Sequence, residues 1–124
     1  MSSAFKDEEL KRLAKELSNI LQYDEKIITC YLFLLRENEE VDESKISEIN
    51  DIQLSDASVV LQAMLRDGIV IKGKAGYLPL HPRLAISNLY RLSTLKNKNV
   101  RQKRVKVDAI TARLVKFRED IQKW

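Results

Sequence analysis

Residues 55–82 read SDASVVLQAMLRDGIVIKGKAGYLPLHP, and this stretch decides the fold. Ala57, Val60, Leu61, Met64 and Leu65 recur at three- and four-residue steps, the period of a helix with one buried face. Ser55, Val59, Gln62 and Arg66 fall on the opposite face. Gly68 stands where a left-handed residue closes a helix, so the spacing predicts a helix over 55–67. Ile69-Val70-Ile71 and Tyr77-Leu78-Pro79-Leu80 predict two short strands around the tip Lys72-Gly73-Lys74-Ala75-Gly76. Pro79 confines the second strand to an edge, which suits a two-stranded hairpin, and Pro82 suits the first turn of a further helix.

Upstream, Leu10, Leu13, Ala14, Leu17, Ile20 and Leu21 form one helical stripe within residues 5–21. Asp24 reads as the N-cap of a second helix ending near Arg36. That helix carries Ile27, Ile28, Tyr31, Leu32, Leu34 and Leu35 around much of its circumference and is expected at the centre of the core; Cys30, within it, reads as a small buried hydrophobe. Asp42 precedes a short helix over 43–50, with Ile46 and Ile49 facing in. Downstream, Leu84, Ala85, Leu89, Leu92 and Leu95 give the helix after Pro82 an apolar face, and Lys96-Asn97-Lys98-Asn99 is a weak break.

From Val100 the chain keeps a seven-residue repeat. Val100, Val107, Leu114 and Ile121 lie seven apart, and Ile110, Phe117 and Trp124 follow three residues later, with Lys103 interrupting the series. These are heptad a and d positions, and such a stripe must pack on the domain or on a second copy. The expectation is a homodimer through this seam.

The 124 residues hold one cysteine, three glycines and two prolines, which disfavours a turn-rich β-sandwich and excludes an internal disulfide or a cysteine-built zinc site. The expected class is mainly α with a small β-hairpin. No apolar run is long enough to span a membrane, and Met1–Arg12 lacks a signal-peptide core, so a cytoplasmic location is expected. The net charge of +4 is unevenly spread. Residues 1–23 are neutral, residues 24–80 carry −5, and residues 81–124 carry +9. A basic third of this size points to a polyanion, or to a solvated helix face that keeps the chain soluble.

The order helix, helix, helix, hairpin is that of a winged helix-turn-helix. On Tyr31-Leu32-Phe33-Leu34-Leu35, Ile46-Ser47-Glu48-Ile49, Val60 through Val70, and Tyr77-Leu78-Pro79-Leu80-His81-Pro82, the stretch from Leu21 to Leu89 resembles the N-terminal domain of the archaeal TrmB-type regulators. More loosely, it is similar to MarR- and ArsR-like winged helices. The basic, heptad-bearing tail looks more like that of small archaeal regulators and chromatin proteins that dimerise through terminal helices. The expected organisation is an N-terminal amphipathic helix (1–22), a winged helix domain (23–96) and a C-terminal coiled-coil dimerisation helix (97–124).

The resemblance implies a dimeric protein that binds double-stranded DNA as a transcriptional regulator or a nucleoid-associated architectural protein. The third helix would then enter the major groove and offer Ser55, Ser58, Val59, Gln62 and Arg66. Ser and Gln can exchange hydrogen bonds with base edges, and Val59 can touch a thymine methyl. Lys72 and Lys74 at the hairpin tip, with Arg83, Arg101 and Arg104, would neutralise phosphates. The departure from the family is Asp56, near the start of a helix whose one basic residue is Arg66. In the first turn that carboxylate also serves the helix dipole. The competing expectation is a winged helix used for protein–protein contact in a larger assembly, motivated by the −5 charge of residues 24–80.

An enzyme is not expected, because no glycine-rich phosphate loop, Ser/His/Asp set or metal-ligand spacing is present. No cofactor, metal or small-molecule ligand is implied. The lone His81 reads as a structural residue before a helix, and Glu37, Glu39, Glu40, Asp42 and Glu43 as a solvated acidic loop.

Overall fold

The computed structural model describes residues 6–37 and 39–122, and is mainly helical with one small sheet. Helix α1 spans Asp7–Leu21, begins on three acidic residues that favour its dipole, and buries the predicted stripe from Leu10 to Leu21. It ends at Gln22, whose left-handed backbone (φ 56°) lets its N–H reach the Ser18 carbonyl. The Asp24 carboxylate accepts from the Lys26 N–H at 2.8 Å and so caps α2, Glu25–Glu37. Helix α3 spans Glu43–Asn50, and the Asp42 carboxylate accepts from the Lys45 N–H at its start.

Helix α4, Leu54–Arg66, is the one the opening stretch predicts, one residue earlier at each end. Gly68 follows with φ +76°, a conformation that a side chain would strain. A Cβ there would also fall 2.7 Å from the Asn88 amide nitrogen, which donates to the Gly68 carbonyl. Strands β1 (Val70–Lys72) and β2 (Tyr77–Pro79) pair antiparallel, with Val70 opposite Pro79 and Lys72 opposite Tyr77. Val41, between α2 and α3, adds a bridge to Tyr77: its N–H donates to the Tyr77 carbonyl and its carbonyl accepts from the Tyr77 N–H. The hairpin is thereby extended by one residue from a distant part of the chain.

Helix α5, Pro82–Lys96, opens with Pro82 in its first turn and with His81 Nδ1 accepting from the Arg83 N–H at 3.1 Å. The histidine is a cap, and burial together with the nearby Arg118 and Arg83 charges lowers its pKa, so the neutral acceptor form is favoured. Asn97 breaks the helix, a 3₁₀ segment runs over Lys98–Lys103, and α6 spans Arg104–Gln122. The expected continuous helix from residue 97 therefore starts seven residues later.

Side chains from all three expected segments enter one core, from Leu10 in α1 to Phe117 in α6. Helix α2 lies at its centre, with Ile28, Tyr31, Leu32 and Leu34 fully buried. Tyr31 carries its hydroxyl inward and donates to the Leu80 carbonyl at 2.7 Å, which satisfies the buried polar group and ties α2 to the hairpin exit. Cys30 is buried, and burial pushes its thiol up to about 11.

The heptad stripe is buried inside the single chain. Val100, Val107, Ile110, Leu114 and Phe117 are all buried within the single chain, and Ile121 is half-buried against the same core. Helix α6 packs on α5, α1 and α2, so the stripe expected to meet a second copy is already covered. Val100 belongs to the 3₁₀ segment and enters the core from a different backbone geometry. Trp124 lies outside the described residues. The outward side of α6 instead exposes Val105, Asp108, Ala109, Ala112 and Lys116. Leu114→Ala is expected to lower stability by about 2–5 kcal/mol, the usual cost of truncating a fully buried leucine. Urea unfolding measures it, and the midpoint should not depend on protein concentration, as it would if the seam joined two chains.

Candidate nucleic-acid interface

Ser55, Val59, Gln62 and Arg66 do share the solvent face of α4, while Ser58 is half-buried. Val59 is 69% exposed, and Leu54, at the helix start, is 52% exposed. Asp56 lies in the first turn, where its charge complements the dipole. The centre of this face is thus uncharged: two aliphatic side chains, serines and a glutamine.

Arg66 is paired while its side chain stays 71% exposed. Its Nε and an Nη atom lie 3.0 and 3.2 Å from the two carboxylate oxygens of Asp67, a bidentate pair with the next residue. Tyr23, at the α1–α2 junction, donates its hydroxyl to the same carboxylate. Burial alone would raise the Asp67 pKa, but the Arg66 and Tyr23 hydrogen bonds and the charges of Arg66 and Lys96 outweigh it, holding the carboxyl below the usual range. Burial, followed by the bond to Asp67, pushes the Tyr23 phenol well up. The triad lines a cleft of about 500 Å³ between the α1–α2 turn and the ends of α4 and α5. Arg66 thus joins this triad at the far end of α4 while remaining open to solvent.

The hairpin tip is held from outside the hairpin. Glu40, expected in a solvated acidic loop, reaches across from the α2–α3 connection, and its Oε1 accepts from the Ala75 and Gly76 N–H groups at 3.0 and 3.1 Å. Within the tip, the Gly73 N–H donates to the Gly76 carbonyl at 2.7 Å. A Cβ on Gly76 would lie 2.4 Å from the Val41 carbonyl oxygen, so backbone must pass backbone closely there. Lys72 and Lys74 are exposed on this tip and make no ion pair among the described residues. They face the start of α3 and Leu54 across a shallow groove that also holds Asp42 and Glu43. Their field is partly offset by those carboxylates.

No protein-family model, no curated protein and no solved structure matches the chain.

The remaining expected cations lie elsewhere. Arg83 and Arg104 line a groove between α5 and α6, and Arg101 is exposed on the 3₁₀ segment. Arg104 lies 5.3 Å over the Tyr90 ring and 3.7 Å from the Asp108 carboxylate. The expected set therefore divides among the α4 face, the hairpin tip and the α5–α6 side, with Arg66 exposed and paired to Asp67. Tyr23, Glu40, Tyr90 and Asp108 escaped the sequence reading, since their partners lie across the fold or depend on where a helix begins. Among the described residues no cluster of His, Cys, Asp and Glu could hold a metal ion, and no helix is long and apolar enough to cross a membrane.

Glu40→Ala should speed amide exchange at Ala75 and Gly76 and cost about 1 kcal/mol in stability, as measured by hydrogen exchange and urea unfolding. Because the folded Asp67 pKa is depressed, its stabilising contribution is present above the unfolded value of about 4 and is lost as pH falls through the folded one. Asp67→Asn should thus be less stable than the parent at neutral pH, and the gap should close on acidification below about pH 4.

Proposed function

We propose that the chain is a winged-helix module that binds double-stranded DNA, as part of a regulator or an architectural protein. The observation that carries this reading is the run of exposed cations Lys98, Arg101, Lys103, Arg104 and Lys106, with no carboxylate among them. The last two stand at the start of α6, where the positive end of the helix dipole disfavours cations. Helix stability does not account for them, whereas a polyanion does. The order of α2, α3, α4 and hairpin, with Val41 bridging to Tyr77, supports the winged-helix part of the proposal. In this reading Ser55, Val59 and Gln62 face the bases, and the cations of residues 83–106 with Lys72 and Lys74 grip phosphates.

A protein-docking role is favoured by a different observation: the outward side of α4 exposes Leu54 and Val59 beside Asp56, with its arginine already paired. A duplex titration by fluorescence anisotropy over a range of salt separates the two. DNA binding should weaken steeply with salt, and replacing Lys98, Arg101 and Lys103 together by alanine should flatten the slope by about 0.9 for each phosphate no longer neutralised. Gln62→Ala should change discrimination among sequences by about 1–3 kcal/mol while leaving that slope in place. A flat baseline at low salt overturns the DNA reading and leaves the docking one.

A further inference from the structure

The α5–α6 groove brings Arg83, Ser87 and Tyr90 from one helix against Arg104 and Asp108 from the other. It encloses about 170 Å³ above the buried Ile86 and Val107, room for a compact group. The Arg104 guanidinium lies 5.3 Å over the Tyr90 ring, a contact that uses the ring face and leaves most of its N–H donors unused. Arg83 is exposed at the groove's edge and makes no ion pair among the described residues. Two arginines and Ser87 therefore line one concavity, and among the described residues Asp108 is the one carboxylate that lines it.

The Arg104–Asp108 pair is an odd stabiliser of α6. Both side chains are about two-thirds exposed (68% and 64%) and 3.7 Å apart, and an exposed pair of this kind contributes little. Its orientation also sets the cation at the helix start and the anion one turn on, against the dipole. What the pair does achieve is to hold a carboxylate beside donors that suit a tetrahedral oxyanion.

We propose that this groove is a phosphate site, gripped by Arg83, Arg104 and the Ser87 hydroxyl, in which Asp108 competes with the incoming phosphate for Arg104. The proposal rests on the DNA-binding reading for its source of phosphate, the duplex backbone. Asp108 then acts as a brake, keeping the site from holding phosphate too tightly.

The test has two arms. In the first, inorganic phosphate is titrated at constant ionic strength into the isotopically labelled full chain, and amide shifts are followed by NMR. Shifts should concentrate in residues 83–90 and 104–111. Asp108→Asn should tighten the phosphate several-fold, and Arg104→Lys, which keeps the charge but loses the fork and the stacking, should weaken it several-fold. In the second, Arg83→Ala combined with Arg104→Ala should lower the salt slope of duplex binding by about two. Phosphate shifts in the groove of a chain that binds no duplex uphold the site and overturn the duplex as its source. Absence of groove shifts in both the parent and Asp108→Asn overturns the site itself, whatever the duplex arm returns.

Discussion

Everything in this molecule is arranged to cover α2. Eight of its thirteen residues are buried, on all sides of the helix, so no single neighbour can shield it. Helix α1 takes one side, α3 and α4 another, and α6 and β2 the remainder. The cover from α6 explains why a stripe spaced for a coiled coil is consumed inside the chain. An apolar seam gains the same transfer free energy against its own core as against a partner. Intramolecular packing needs no second molecule to be brought from solution.

A consequence of this layout is segregation of charge. The acidic middle of the sequence supplies caps and staples: Asp24 and Asp42 at helix starts, Glu40 in the hairpin tip, Asp67 between Arg66 and Tyr23. These carboxylates are committed to backbone or side-chain donors. The basic residues of α5, the 3₁₀ segment and the start of α6 have few such partners and remain exposed. Charge count alone describes the middle of the chain as a repellent for polyanions; geometry shows that four of its carboxylates also serve as caps and staples.

How far the sequence could be read follows from the range of the interactions involved. Helix spans were legible because capping, periodicity and left-handed stops act over a few residues, as the Asp42 cap and Gly68 illustrate. The buried centre, Cys30 included, was legible from the near-continuous apolar surface of α2. The Val41 bridge and the Glu40 staple join residues more than thirty positions apart and leave no local signature. The Arg66–Asp67 pair was not legible because a pattern on one helix face carries no information about what the next residue accepts. The heptads were visible, but a repeat states only that a face is apolar. Over a nineteen-residue helix the drift between 3.5 and 3.6 residues per turn is too small to tell a superhelical partner from a globular one.

The packing of α6 against α1 means that a later helix closes on one made about ninety residues earlier. During synthesis, at about 5–20 residues per second, α1 and α2 can pair early because they are adjacent in the chain. They must then wait, with one flank of α2 uncovered, until Val107 through Phe117 have cleared the ribosome. A nascent chain halted before residue 104 carries a hydrophobic opening the width of a helix. Synthesis is thus a vectorial race between exposure and closure, in which α6 serves as the lock of the fold and its start as part of the most basic stretch.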